Sequence, residues 1–366
     1  MNKSRKLKNS RPSWCTNLRM LGLIGLLLLT PNRLLGDAAT DVLKNYQNLS
    51  EKERQSKLVQ GAKKEGSMVF YGTTAIDHLK RIFDEFNKRY PFIKIDNYRS
   101  GSANVYNKIT TEARGNRYVV DVIDLEPDTV YGLAKSGLVA SYFSPSRKEI
   151  MEEFMDKDGF WTAYYQLPVV LGYNTTKIKK AEAPKSYEDL LDPKWEGRFS
   201  LDTSDAQNMG TLLEYWGKER GIQYFEKLAS NNPSLRRGKT LQAQIVASGE
   251  VDFAPWLYGY RVLQMKQTGA PLDVVLFKPT LSVPTYLLLA KNAPHPNSAA
   301  LFIDWMLSPD GMRFLTEVLG RNVPRQGLKD KYPELNVPQY LVVDPKNLGT
   351  NYNEYLKLYC KIFKGC

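Results

Sequence analysis

The sequence predicts an α/β protein of two lobes, each a parallel or mixed sheet flanked by helices. Three observations lead there. At 366 residues the chain is too long for one compact core and suits two units of about 150 residues each, once an N-terminal leader is set aside. Hydrophobic residues make up 42% and charged residues 25%, the balance of a globule rather than of a disordered chain or a polytopic membrane protein. From residue 50 onward, short β-rich runs alternate with stretches of helical periodicity, the pattern of a sheet with helices on its faces.

The elements follow in order. Ser50 and Glu53 form a capping box that opens a helix running to about Glu65 and ending at Gly66. Ser67–Tyr71 reads as a strand closed by Gly72, and Ile76, Leu79, Ile82, Phe83, Phe86 and Tyr90 then recur at helical spacing. Pro91 stops that helix. Phe92–Tyr98 is the next strand, Ser102–Gly115 a helix and Val119–Leu125 a third strand. Ala163–Tyr173 is a long apolar run with an internal proline, more like a crossing connection than an ordinary central strand. Lys185–Leu201 reads as a short helix stopped at Asp192 and Pro193, then a strand. Helices are expected over Ser204–Trp216, Gly221–Ser230 and Leu241–Ser248, a strand over Val251–Ala254, and an aromatic turn over Pro255–Arg261. Leu272–Phe277 and Thr285–Ala290 are strands, the latter returning the chain to the first lobe. Asn297–Leu319 is amphipathic and helical, interrupted at Ser308–Gly311. A last helical stretch with Tyr355, Leu356, Tyr359, Ile362 and Phe363 is expected to dock on the first lobe.

The formal charge of +12 suggests an anionic partner until it is divided along the chain. Residues 1–36 carry seven basic side chains (Lys3, Arg5, Lys6, Lys8, Arg11, Arg19, Arg33) and no acidic one. The remainder holds 44 basic against 39 acidic residues, interspersed as on a solvated surface. No nucleic-acid partner is indicated. The basic segment precedes the apolar run Leu21–Thr30 and Pro31, the order of a secretory signal; the run falls short of the roughly 20 residues of a spanning helix. Residues 1–36 are therefore taken as a signal peptide, cleaved between Leu35 and Thr40. Export would place the protein in an oxidising compartment, where Cys360 and Cys366 could join, although six residues on a helix put their side chains on different faces. Cys15 would leave with the leader.

Chemistry is sparse. His78 and His295 are the only histidines, and three cysteines exclude zinc-finger spacing. There is no G-x-S-x-G, H-E-x-x-H, C-x-x-C or G-x-G-x-x-G, so no enzyme class is indicated. A paired-carboxylate glycosidase is not excluded by motif. In α/β sheets ligands gather at the carboxyl ends of strands, which singles out Tyr71–Thr74, Arg99–Ser102 and Asp124–Glu126.

Five stretches, GAKKEGSMVFYGT (61–73), FDEFNKRYPFIKI (83–95), LLDPKWEGRFSLD (190–202), AQIVASGEVDF (243–253) and HPNSAALFIDWMLSPDGMRFL (295–315), occur in an order that resembles the solute-binding proteins of bacterial ABC importers, in the ferric or iron(III)-type periplasmic branch. The resemblance covers nearly all of residues 50–365. It implies the two-lobed periplasmic binding protein (type 2) fold, with lobe 1 at 41–163 plus 283–366 and lobe 2 at 164–282. It also implies a periplasmic monomer that closes on a small solute, meets an ABC permease in the inner membrane and has no cofactor. Within the stretch 190–202, Pro193 ends a helix, Trp195 can anchor the turn and Gly197 permits close approach to the next strand.

Two solutes compete. Family members that capture ferric ion use two adjacent tyrosines, since a hard trivalent cation favours phenolate oxygen. The corresponding pair here, Tyr258 and Tyr260, is split by Gly259, and the family's histidine after the first strand is replaced by Thr73 and Thr74. Tyr164 and Tyr165 are adjacent but fall at the first hinge. The other solute is an organic or oxygen-rich anion. Arg99, Ser100, Gly101 and Ser102 lie at a strand end and helix start, which suits negative charge. Thr73 and Thr74 would join them. Ser204 and Arg237 offer the same from the second lobe, with Trp256 and Tyr258 to stack on the ligand or close the cleft against water, and Tyr260 as a further ligand-binding residue. A ligand-sensing subunit of a membrane receptor, an exported hydrolase and a scaffold without ligand are the alternative roles.

Overall fold

The computed structural model describes residues 39–365 apart from 47, 204, 326 and 329. The leader, Ser204 and Cys366 therefore lie outside the described residues. In chain order the elements are α1 (Ala39–Lys44), α2 (Glu51–Glu65), β1 (Ser67–Gly72), α3 (Ile76–Arg89), β2 (Lys94–Arg99), α4 (Ser102–Arg114), β3 (Val122–Leu125), α5 (Pro127–Lys135) and β4 (Val139–Ala140). They continue with β5 (Thr162–Asn174), β6 (Ser200–Asp202), α6 (Ala206–Trp216), α7 (Lys218–Ser230), β7 (Ser234–Arg236), α8 (Lys239–Ser248), β8 (Phe253–Tyr258), α9 (Gly259–Gln267) and β9 (Leu272–Val275). The last are β10 (Thr280–Ala290), α10 (Pro296–Leu307), α11 (Pro309–Arg313), β11 (Tyr340–Val342) and α12 (Pro345–Phe363).

The first part is built as its pattern dictates. Ser50 and Glu53 close the capping box, and Gly66 ends α2 in the left-handed conformation at φ 67. β1 pairs in parallel with β2 and β3, and β10 runs antiparallel beside β3. The apolar stripe of α3 and that of α10 meet on this sheet: Phe302 lies 5.8 Å from Phe70 and 5.1 Å from Phe86, edge to face. Ser67 Oγ and His295 Nε2 share a hydrogen bond of 2.9 Å, and His295 Nδ1 meets Asp121 Oδ2 at 2.9 Å. Asp121 also accepts the Val69 and His295 backbone N–H groups, so this trio ties the start of β1 to the start of α10.

β5 is both a central strand and a crossing. All thirteen of its residues are buried. Residues up to Pro168 pair with β10, whereas from Val169 onward the partners are β8 and β9. The prolines explain how a strand can do this. Pro168 lies opposite Ser282 and Pro284 opposite Gln166, so two missing N–H donors interrupt the same ladder, and Gln166 N–H turns instead to Asn322 O at 2.7 Å. β10 is likewise longer than expected, starting at Thr280 rather than Thr285.

In the second part β6 and β7 form a short parallel pair. Its aromatic core stacks Phe199 on Phe253 at 5.2 Å, with Trp195 edge-on to Phe253 and its indole N–H donated to Asp189 O at 3.0 Å. The expected helix before Pro193 is a single 3-10 turn, Glu188–Leu191. Gly197 serves through its positive φ of 69 rather than through close approach, since no atom lies within 4 Å of where its Cβ would be. The aromatic turn at Pro255–Arg261 is not a turn: β8 continues to Tyr258 and α9 begins at Gly259.

The C-terminal helix also departs from expectation. Its early residue Gly349 approaches Tyr131 on α5, but Tyr355 packs against Gly210, the Tyr359 hydroxyl donates to Asp202 O at 2.8 Å, and Phe363 contacts Phe225. A nineteen-residue helix is long enough to lie against both parts, so α12 does not dock on the first alone. Cys360 on this helix is disulfide-bonded. Its partner lies outside the described residues, since Cys15 and Cys366 both do.

Candidate functional site

A cleft of about 600 Å3 collects the loops at the strand ends. The turn after β1 contributes Thr73 and Thr74, the β2–α4 junction Arg99, Gly101 and Ser102, and the β3–α5 junction Glu126 and Asp128. Facing them are Asp202 and Gln207 around the start of α6, Arg237, Gly238 and Lys239 at the start of α8, and Tyr258, Tyr260 and Arg261 at the β8–α9 junction. Tyr165 and Leu167 of β5, Arg321, and Tyr352 of α12 complete the lining.

Asp124 organises one wall. Wholly buried at the end of β3, it accepts the Thr73 hydroxyl at 3.0 Å, the Thr74 N–H at 3.1 Å and the Tyr164 hydroxyl at 3.2 Å. Burial pushes its carboxyl up, and these hydrogen bonds oppose that shift. Because Tyr164 donates to Asp124, Thr74 must donate to Tyr164 at 2.9 Å and Tyr165 must donate to Thr74 at 2.8 Å. The phenol proton of Tyr165 is thus committed, and burial raises its pKa further.

Arg321 is the opposite case. It is 3% exposed, and among the described residues it has no carboxylate partner. One terminal nitrogen donates to His78 Nδ1 at 3.0 Å, which leaves the His78 proton on Nε2. Its carbon centre lies 3.6 Å from the centroid of the Tyr260 ring and 4.7 Å from that of Tyr165, while Nη1 is buried with no partner. Burial and the Arg321 charge push His78 down to about 3, so the imidazole is neutral and offers no competing positive charge. Arg261 adds a second buried and unpartnered nitrogen, Nε. Arg99 uses its Nε on Thr73 O at 3.2 Å and keeps its fork free.

Around Glu126 the charge is reversed. Its carboxylate makes no hydrogen bond or ion pair among the described residues, and burial together with Asp128, Asp124 and Asp202 pushes it up to about 8, against a smaller lowering by Lys239. Asp128, pushed up to about 6 chiefly by burial, is steadied by Ser102, whose oxygen also accepts the Glu126 N–H at 3.1 Å. Lys239 is spent on an ion pair with the buried Asp205.

Eight of the expected site residues line this cleft: Thr73, Thr74, Arg99, Gly101, Ser102, Arg237, Tyr258 and Tyr260. Ser100 does not; its N–H bonds Gly72 O and its hydroxyl accepts from Asn104. Trp256 is a correction. Because β8 extends to Tyr258, Trp256 sits mid-strand at 1% exposure against Phe225 and cannot stack on a cleft ligand. Ser204 lies outside the described residues. Sequence reasoning did not reach Arg321, Arg261 or Tyr352. Glu126, the residue after β3, falls in the strand-end segment Asp124–Glu126 that the sequence singles out, although it is not among the individual ligand-binding residues expected. Among the described residues no group of three or more His, Cys, Asp or Glu is arranged to hold a metal ion.

The pattern of the family described as bacterial extracellular solute-binding protein matches residues 119–342. The chain is 23% identical over 267 residues to the Fe(3+)-binding periplasmic protein of Serratia marcescens, covering 70% of this chain and 78% of that one. In structure it is similar to iron-bound HitA from Pseudomonas aeruginosa, with TM-score 0.71, 22% identity and coverage of 81% and 99% of the two chains. It is equally similar to AfuA from Actinobacillus pleuropneumoniae with fructose-6-phosphate bound, at TM-score 0.71, 22% identity and coverage of 82% and 99%. The fold is that of the two-lobed periplasmic binding proteins.

Proposed function

The chain belongs to the bacterial extracellular solute-binding proteins, and from that premise we propose that it captures a small oxygen-rich organic anion in the cleft and hands it unchanged to an ABC permease. The observation that carries this reading is Arg321, a buried cation with an unpartnered nitrogen in the cleft. Burying an uncompensated charge costs several kcal/mol, and a ligand oxyanion is the group that offsets it. Arg99, Arg237 and Arg261, none with a carboxylate partner among the described residues, add to the same field. Their fork geometry suits a carboxylate or phosphate.

Selection follows from closure. Ligand touching Thr74 and Arg99 on one side and Arg237 and Arg261 on the other stabilises the closed arrangement, which is the form a permease would recognise. We place the hinge where β5 changes partners at Pro168 and where Pro284 interrupts β10, with lobes at 41–163 plus 283–344 and at 164–282, and α12 lying along both. Export to the periplasm is part of this proposal, and no group in the cleft is given a catalytic role.

Ferric ion, which the Serratia relative's name specifies, is the competing cargo. Tyr258 and Tyr260 would have to supply phenolates. Burial and the neighbouring Glu126, Asp205 and Asp202 hold the Tyr258 phenol well above its ordinary pKa, and Arg321 already covers the Tyr260 ring. Thermal melts of the 37–366 protein with inorganic phosphate, propylphosphonate, citrate and ferric nitrilotriacetate separate the two. An oxyanion that raises Tm without colour supports the reading. A visible phenolate-to-iron band, lost in Tyr258→Phe and Tyr260→Phe, would replace it with iron.

A further inference from the structure

The matched family pattern stops at residue 342, and α12 begins beyond it at Pro345. This helix reaches the cleft, where Tyr352 joins the lining, yet its attachments to the two lobes are unequal. To the second lobe it is fastened at both ends. Just before it, β11 pairs with Thr280, Leu281 and Ser282 of β10, and the Val343 N–H donates to Ser282 O at 3.0 Å. Along its later turns Tyr355, Tyr359 and Phe363 are all buried. The Tyr355 ring fills the place where a side chain at Gly210 of α6 would begin, the Tyr359 hydroxyl donates to Asp202 O at 2.8 Å, and the Phe363 ring stands 6.4 Å from that of Phe225 on α7.

Its ties to the first lobe lie in the early turns and are lighter. Lys346 Nζ meets Asp156 Oδ1 at 3.4 Å with the lysine half exposed, an ion pair that water screens. Gly349 lies against Tyr131 of α5, so close that a Cβ at 349 would stand 2.9 Å from Tyr131 Cβ. Glycine is a poor residue for a helix interior; here its missing Cβ is what lets α5 and α12 touch.

We propose that α12 is a moving part of the binding site: it travels with the second lobe, carrying Tyr352, and its seam with α5 at Gly349 and Tyr131 parts when the cleft opens. The seam holds a share of the empty molecules closed. Gly349, outside the cleft, thereby sets the apparent affinity through the fraction of molecules ready to grip a solute. This rests on the two-lobed closure proposed above and not on which solute is bound. The reason is mechanical. Hinging at Pro168 and Pro284 must break α12 from one lobe, and the side that yields is the one without a strand ladder or a row of buried aromatics. A Cβ added at 349 cannot be absorbed by a rotamer change, because the atom it meets is itself a Cβ, so the two helices must separate.

Small-angle scattering of the empty 37–366 protein tests the seam, comparing wild type with Gly349→Ala, Tyr131→Ala and Tyr359→Phe. Gly349→Ala and Tyr131→Ala should both enlarge the radius of gyration, the first by wedging the seam and the second by emptying it. Tyr359→Phe loosens α12 from its own lobe, and should lower Tm while leaving the radius unchanged. Circular dichroism checks that each variant folds. In calorimetry Gly349→Ala should bind propylphosphonate about threefold more weakly or worse, as its closed fraction falls, and at saturation its radius should return to that of wild type. Empty Gly349→Ala and Tyr131→Ala that scatter like wild type overturn the seam. Expansion of Tyr359→Phe equal to or greater than theirs would attach α12 to the first lobe and overturn the assignment, and an unchanged affinity in an expanded Gly349→Ala overturns its role in binding. If the wild type binds no phosphonate, phosphate or carboxylate, the oxyanion reading falls, while the radii of the empty proteins still decide this one.

Discussion

Asp124 and Arg321 are both buried charges beside the same cleft, and they have been treated in opposite ways. Asp124 accepts three hydrogen bonds from the protein itself. Arg321 has one neutral imidazole, two aromatic faces and a nitrogen left over. A satisfied buried charge belongs to the scaffold, because nothing remains for a ligand to add. An unsatisfied one is a cost the fold carries for the bound state. On the oxyanion reading proposed above, the wall built on Asp124 is support and the wall built on Arg321 is the one that meets the ligand.

The largest effect expected from this contrast is in binding. Arg321→Met should weaken propylphosphonate by about a hundredfold or more in calorimetry, since truncating a buried charge that meets an opposite charge costs about 2–5 kcal/mol. Arg321→Lys should fall between, keeping charge but losing the fork. If Asp124 is scaffold, its loss should appear in stability instead: Asp124→Ala strands the Thr73, Thr74 and Tyr164 donors and should cost about 3 kcal/mol in urea unfolding. A smaller loss, about 1–3 kcal/mol, is expected for Gly210→Ala, whose Cβ would fall 2.3 Å from the Tyr355 ring and lift α12 from α6.

The pH profile sharpens the comparison further. His78, held down to about 3 beside Arg321, contributes stability that is present above its ordinary pKa of 6.5 and is lost as pH falls through that window toward 3. Glu126, pushed up to about 8, acts in the other sense: its penalty is absent below 4.5 and grows as pH rises to 8. Urea midpoints across pH should therefore show acid sensitivity below about 6.5 that His78→Gln reduces, and a decline as pH rises from about 4.5 to 8 that Glu126→Gln removes. Profiles unchanged by both substitutions would contradict these assignments.

Much of the scaffold was legible because local rules and tertiary context agree there. The capping box at Ser50, the stop at Gly66, the stripe of α3 and the proline in β5 each point to one structure. The errors lie where context overrides pattern. Trp256 reads as an exposed aromatic of a turn, but four more residues of strand carry it into the core beneath α7. The C-terminal stripe of Tyr355, Tyr359 and Phe363 announces a buried face without saying which surface covers it. Of the cleft lining, Thr73, Thr74, Arg99 and Ser102 were legible because strand ends and helix starts mark themselves in sequence. Arg321 does not: it sits in a loop after the last helical segment beyond α11, and only the fold brings it against Tyr260 and Tyr165 from β8–α9 and β5.

The most direct test is a pair of melting curves for wild type and Arg321→Met, recorded empty and with saturating propylphosphonate. If Arg321 is a charge kept unpaired for a ligand, the empty variant melts no lower than the wild type, and the order reverses when the phosphonate is added because only the wild type gains. A variant that melts lower when empty and gains as much as the wild type would show that Arg321 holds the fold and that the anion, if bound, is held elsewhere.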